Sequence, residues 1–144
     1  MATLCDVNVL LALCSDRHAH HGAACQWVEG VTKRHEIAVC RIAQLGLLRL
    51  LNNPAVMKEE ALSTAECWRV YEALMDDERL VFRTEPAGLE AALKQATLPH
   101  VFAPKLWQDA YLAAFAAVAR LQLVTFDKGF RNFEGLNCLV LANQ

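Results

Sequence analysis

The chain lacks a charge of dominant sign: 14 Lys and Arg face 16 Asp and Glu, for a formal net charge of -2. No global basic field can therefore hold a polyanion, and any nucleic acid must be gripped by a local patch. Paired cysteine spacing is also missing. Cys5, Cys14, Cys25, Cys40, Cys67 and Cys138 are dispersed, with no C-x-x-C. A chain of 144 residues that is 55% hydrophobic can build a core without disulfide staples, so a reduced, cytoplasmic protein is expected. No apolar run reaches the roughly 18 residues of a membrane span. The run ending at Leu13 has no Lys or Arg before it and Asp6 within it, so a secretory leader is not expected either. Repeats, low-complexity tracts and linkers are absent, which predicts a single domain over residues 1–144.

What is present alternates between strand and helix. "TLC" reads as a short strand feeding a helix from Val7 to Cys14. A polar turn, "SDRHAHH", leads to a helix with Ala24, Trp27, Val28 and Val31 on one face. "EIAVC" is a second strand, and "RIAQLGLLRLL" a helix stopped at Asn53 and Pro54. Ser63 and Glu66 have capping-box spacing before a helix with Cys67, Val70, Tyr71 and Leu74 on one stripe. "RLVFR" is a third strand, Pro86 opens a helix through about Gln95, and "TLPHVFAPK" is an irregular loop. "LWQDAYLAAFAAVARL" is a helix with Trp107, Tyr111, Ala114 and Val118 in register, followed by strands in "LQLVTF" and "LNCLVL". The order implies right-handed crossovers and a mainly parallel sheet of about five strands with helices on both faces.

In such a sheet, sites form at the carboxyl ends of strands. Asp6 directly follows the first strand and Asp127 the fourth, while Asp109 lies in the first turn of the helix leading into that fourth strand. Each has a modest alternative role: a helix cap for Asp6, a first-turn acid for Asp109, a turn residue for Asp127. Together, three like charges at one end persist only with a cation, a shared proton or basic neighbours. Oxygen ligands suit Mg²⁺ or Mn²⁺, and such an ion supports phosphodiester hydrolysis.

The segments "LCDVNVLLAL", "LWQDAYLAAFA" and "LVTFDKGFRNFEGL" resemble, in order and spacing, the three acidic motifs of PIN-domain proteins. The likeness is strongest to the VapC-type toxins of bacterial toxin–antitoxin pairs, and "DRHAHHGAACQWV" and "LGLLRLLNNPAV" extend it over nearly the whole chain. The resemblance implies a PIN-like three-layer α/β/α sandwich and Mg²⁺- or Mn²⁺-dependent endoribonuclease activity. It also implies inhibition by a cognate antitoxin and, usually, a homodimer. Asp6, Asp109 and Asp127 fall on the family's metal-binding or catalytic aspartates, and Asn8 on a supporting polar position. One departure stands out. The family usually carries a glutamate early in the helix after the second strand, and here that position is Gln44, a supporting polar residue whose amide oxygen could ligate a metal or hold its water without a charge, or Gly46 in a register shifted by two.

Around these motifs, Arg49, Lys105 and Lys128, with Arg41 and Arg131, are candidates to meet RNA phosphates. His18, His20 and His21 lack a partner pair for zinc and read as surface or packing residues. Trp27, Trp68 and Trp107 occupy core-like helical positions and read as packing. A phosphoacceptor domain needs an aspartate after the third strand, where "RTEP" stands, and a haloacid-dehalogenase-like phosphatase needs D-x-D, where "DVN" stands. The alternative that survives is a non-catalytic PIN-like RNA-binding or interaction module lacking the usual glutamate.

Overall fold

The computed structural model describes residues 1–142. Five short strands, β1 (Thr3–Cys5), β2 (Ile37–Val39), β3 (Leu80–Phe82), β4 (Gln122–Thr125) and β5 (Cys138–Val140), form one sheet in the order β3-β2-β1-β4-β5. Every pairing is parallel. The strands are apolar almost without interruption, as parallel strands covered on both faces must be. Leu4, Ile37, Val39, Leu123 and Val124 are fully buried.

Helices α1 (Val7–Cys14), α2 (His21–Glu29), α3 (Arg41–Leu51), α4 (Pro54–Met57) and α5 (Thr64–Met75) lie on the connections from β1 to β2 and β2 to β3. Helices α6 (Leu89–Thr97) and α7 (Leu106–Ala119) lie on the return from β3 to β4. The chain moves one way across the sheet through α1 to α5 and the other way through α6 and α7. Right-handed crossovers therefore put the two groups on opposite faces, giving three layers. The direction reverses between β1 and β4, and a reversal of this kind leaves a crevice at the strands' carboxyl ends.

Local chemistry accounts for the helix limits. Ser63 and Glu66 form the expected capping box at α5. Asn53 stops α3 but also caps α4, its side chain accepting from the Ala55 N–H at 2.9 Å, so the chain resumes a short helix at Pro54. The helix expected from Pro86 begins instead at Leu89. Gly88 stands at φ 92, a left-handed conformation that breaks helical continuity after the proline turn. Helix α2 ends at Glu29, so Val31 falls in the turn beyond it, its N–H on the Val28 carbonyl. In α7, Ala110, Ala113, Ala114 and Ala116 are buried around Phe115, small side chains that let the helix lie close to the sheet.

Helices α1 and α3 meet at Gly46. A Cβ there would stand 2.8 Å from Val7 Cγ2 and 3.2 Å from Cγ1, inside contact distance of a side chain too stiff to move aside. Gly46→Ala gains about 1 kcal/mol of helix propensity, but overpacking costs about 1–3 kcal/mol. Thermal unfolding is therefore predicted to show Gly46→Ala less stable than the parent. Val7→Ala in the same chain should recover most of the loss, because it removes the obstacle. A stabilised Gly46→Ala variant would contradict this close approach.

Candidate functional site

Strand β1 ends at Cys5, and Asp6 turns the chain into α1 as its N-cap. Its Oδ1 accepts from the Val7 N–H at 2.7 Å, filling one of the positions that a helix start leaves open. Its Oδ2 accepts from Thr125 Oγ1 at 2.7 Å, across the junction of β1 and β4. Only 8% of Asp6 is exposed. The helix cap and the acid facing the crevice are the same carboxylate.

Thr125 is the residue that sequence reasoning missed. It is fully buried, and its hydroxyl serves three neighbours. It donates to Asp6, accepts from the Asp127 N–H at 3.0 Å and accepts from Asn8 Nδ2 at 3.4 Å. Asn8 Oδ1 in turn accepts from the Phe126 N–H at 3.3 Å, so Asn8 holds the turn after β4. The available signal was a hydroxyl two places before Asp127 in an apolar strand. Strand periodicity says which face such a residue occupies, not which partner it finds across the sheet.

Asp109 arrives from the other layer, in the first turn of α7. With Asp6 it lines a cavity of about 110 Å³, whose α3 wall is Ile42, Gly46 and Arg49. Asp127 is exposed, and its Oδ1 accepts from the Gly129 N–H at 2.8 Å at the start of a 3-10 turn over Lys128–Asn132. The structure thus brings all three aspartates to one end of the sheet and two of them into one cleft. Among the described residues, no three His, Cys, Asp or Glu side chains are gathered closely enough to hold a metal ion.

Burial raises the Asp6 carboxyl above its ordinary range; the Thr125 and Val7 hydrogen bonds pull it down, and the charge of Asp127 pushes it up. Burial likewise raises Asp109, followed by the charges of Asp6 and Asp127. Among the described residues none of the ion pairs involves any of the three aspartates.

Gln44 has a different setting. It is 5% exposed, and its Oε1 accepts from the Arg41 guanidinium at 2.5 Å. Of the two registers open in the sequence, Gly46 is the one that lines the cleft. Arg49 lies beside the aspartates, Lys105 lines a neighbouring larger cavity, and Lys128 is exposed directly after Asp127. Arg41 stacks its guanidinium 4.5 Å from the Phe82 ring centroid.

The histidines are engaged locally. His21 Nδ1 lies 2.7 Å from the Ala12 carbonyl, His18 Nδ1 accepts from the His20 N–H, and the His20 ring stacks on Phe126 at 4.3 Å. The packing role expected of the tryptophans holds for Trp27 alone. Trp68 is 46% and Trp107 59% exposed. Trp107 belongs to the same helical stripe as buried Tyr111 and Ala114, but it sits one turn earlier, at the very start of α7. Burial also pushes the Cys14 thiol up to about 11, as suits an unreactive packing cysteine.

Comparisons with known proteins place this architecture. The profile of the PIN domain family matches residues 3–136. Ribonuclease VapC41 of Mycobacterium tuberculosis (strain ATCC 25618 / H37Rv) is 41% identical over 143 residues, covering 96% of this chain and 98% of that protein. Among solved structures, VapBC2 from Rickettsia felis, bound to a DNA fragment from its promoter, superposes with a TM-score of 0.73 at 13% identity, over 99% of this chain and 100% of that one. Mycobacterium tuberculosis VapC20, described as a sarcin-ricin loop cleaving toxin, gives 0.68 at 16% identity, over 94% and 99%.

The raised Asp109 carboxyl has a measurable consequence. A group whose folded pKa lies above its unfolded value favours the folded state when protonated, and that contribution disappears as pH rises through the raised pKa. At neutral pH the ionised Asp109 therefore opposes folding. Asp109→Asn is predicted to melt higher than the parent at neutral pH in the absence of divalent cations. The gap should close as pH falls below the ordinary carboxylate range. An Asp109→Asn variant less stable at neutral pH would contradict the electrostatics described.

Proposed function

The chain belongs to the PIN-domain family, and on that premise we propose that it is a metal-dependent endoribonuclease toxin, hydrolysing RNA phosphodiester bonds and restrained by a cognate antitoxin. The observation that carries this reading is the pairing of Asp6 with Asp109 in one cleft at the sheet's reversal point. Burial there, and then the charges of Asp6 and Asp127, make ionisation of Asp109 costly. The ribonuclease name of VapC41, which aligns over nearly the full length of both chains, supports the activity. The VapBC assembly on the same fold supports the antitoxin.

The donor set fits a hard divalent cation. Its ligands are carboxylate oxygens, and the residues around it leave their mutual repulsion without an ion pair. Asp6 and Asp109, which share the cleft, would hold Mg²⁺ or Mn²⁺, with Asp127 the third acid at the same end of the sheet. When bound, the ion supplies charge neutralisation at the phosphate and acidifies an attacking water. The chain's own groups do the positioning. Asp6 is locked by two hydrogen bonds, so it need not reorganise when substrate arrives. Asp127 commits Oδ1 to Gly129, which leaves Oδ2 to accept a proton from water entering the cleft. Arg49, which lines the cleft, and exposed Lys128, next to Asp127, would meet the RNA phosphates. Among the described residues no helix is long and apolar enough to cross a membrane.

A second reading, a PIN-like module with weak or no turnover, is favoured by one observation: α3 turns Gly46 and Arg49, not an acid, toward the aspartates. One experiment separates the two. Purified protein incubated with single-stranded RNA and Mn²⁺ should cleave it, and EDTA should stop cleavage. Asp6→Asn keeps the cap oxygen and the fold, yet is predicted to lose more than about 100-fold in rate, beyond the range of merely supporting residues. Cleavage that survives both EDTA and Asp6→Asn sinks the assignment, and a folded parent that never cleaves favours the binding module.

A further inference from the structure

Trp107 is exposed at the entrance of a cavity of about 590 Å³ that also has Lys105, Pro104 and Tyr111 in its walls. A large aromatic left in water at a concave, partly apolar surface marks a place where something binds. The cavity adjoins the acidic cleft, with Ile42 and Gln108 lining both. Trp107 stands two residues before Asp109 in the first turn of α7, about 200° round the helix from it, so it borders the neighbouring cavity and not the carboxylates themselves. The walls are mixed: a flat indole, the Lys105 ammonium and the Gln108 amide, with the Tyr111 hydroxyl already donated to Glu85 at 3.0 Å. Among the described residues Lys105 enters no ion pair. An aromatic face beside a free cation complements a nucleobase attached to its phosphate. A purely apolar peptide face would leave Lys105 and Gln108 without partners.

We infer that Trp107 is a stacking platform for a base of the single-stranded RNA that enters the cleft, with Lys105 taking the adjoining phosphate. This rests on the ribonuclease reading above. It adds to that reading a subsite that recognises unpaired nucleotides, because a base can stack on the indole only when it is not stacked in a duplex.

The test uses the full chain in EDTA with two ligands of equal length: oligo(U), and a ribose-phosphate chain carrying no bases. The parent should bind oligo(U) about ten-fold more tightly, with quenching of indole fluorescence, as one base–aromatic stack allows. Trp107→Ala should erase that preference, Trp107→Phe should keep most of it, and Lys105→Ala should weaken both ligands equally. A Trp107→Ala variant that still prefers oligo(U) overturns the subsite. So does one whose only change is loss of a dimer in sedimentation, which would assign the surface to a second copy. Cleavage measured in parallel keeps the two readings apart. If the parent cleaves RNA and Trp107→Ala shares its KM and kcat, the subsite fails and the nuclease stands. If the parent never cleaves but its base preference depends on Trp107, the nuclease fails and the subsite stands.

Discussion

The hydrogen bond from Thr125 to Asp6 is the constraint on which this site depends. It joins the two strands at which the sheet reverses direction, and it does so with a neutral donor. A basic side chain in its place would have bound Asp6 more strongly and cancelled its charge. A hydroxyl and a backbone N–H orient the carboxylate and leave the charge in the cleft. The cost shows in the raised Asp6 and Asp109 carboxyls: the folded chain works against their ionisation, and a divalent cation would reverse that balance. Stability is given up where the chemistry needs charge.

The same hydroxyl fixes more than one acid. By accepting from the Asp127 N–H and from Asn8 it sets the turn that carries Asp127 and the first turn of α1 together. The His20 ring stacked on Phe126 braces that turn from outside. On the other side, Gly46 brings α3 against Val7, the residue after Asp6, so helix packing and acid placement are one arrangement. Losing any of these contacts moves a carboxylate, not merely a loop.

Much of this was legible in the sequence, and the reasons differ by residue. The alternation of apolar strands and helices predicted a parallel, doubly covered sheet, because period and order survive without knowledge of partners. Asp6, Asp109 and Asp127 each have a plausible local role at a strand end or first helical turn, so their spacing alone was equivocal, and it was the resemblance of their three segments to the PIN-domain motifs that singled them out. The limits of α6 were misjudged because Pro86 signals a turn as readily as a helix start, and Gly88 decides between them. Trp107 was misplaced because a helical stripe says which face a residue shares, not where the sheet beneath it ends. Thr125 and Gln44 needed the tertiary structure outright. One bonds across strands 119 positions apart in sequence, and the other is captured by Arg41 within its own helix.

The measurement that bears most directly on this account is a calorimetric titration of Mn²⁺ into the parent, Thr125→Ser and Thr125→Val. The serine keeps the hydroxyl, while the valine keeps the shape and leaves Asp6 Oδ2 and the Asp127 N–H without their shared partner. Removing such a supporting bond typically weakens a metal site by about 10–100-fold. Affinity is expected to stay near-parental in Thr125→Ser and to fall at least about ten-fold in Thr125→Val. Equal Mn²⁺ affinity in all three folded proteins would contradict it.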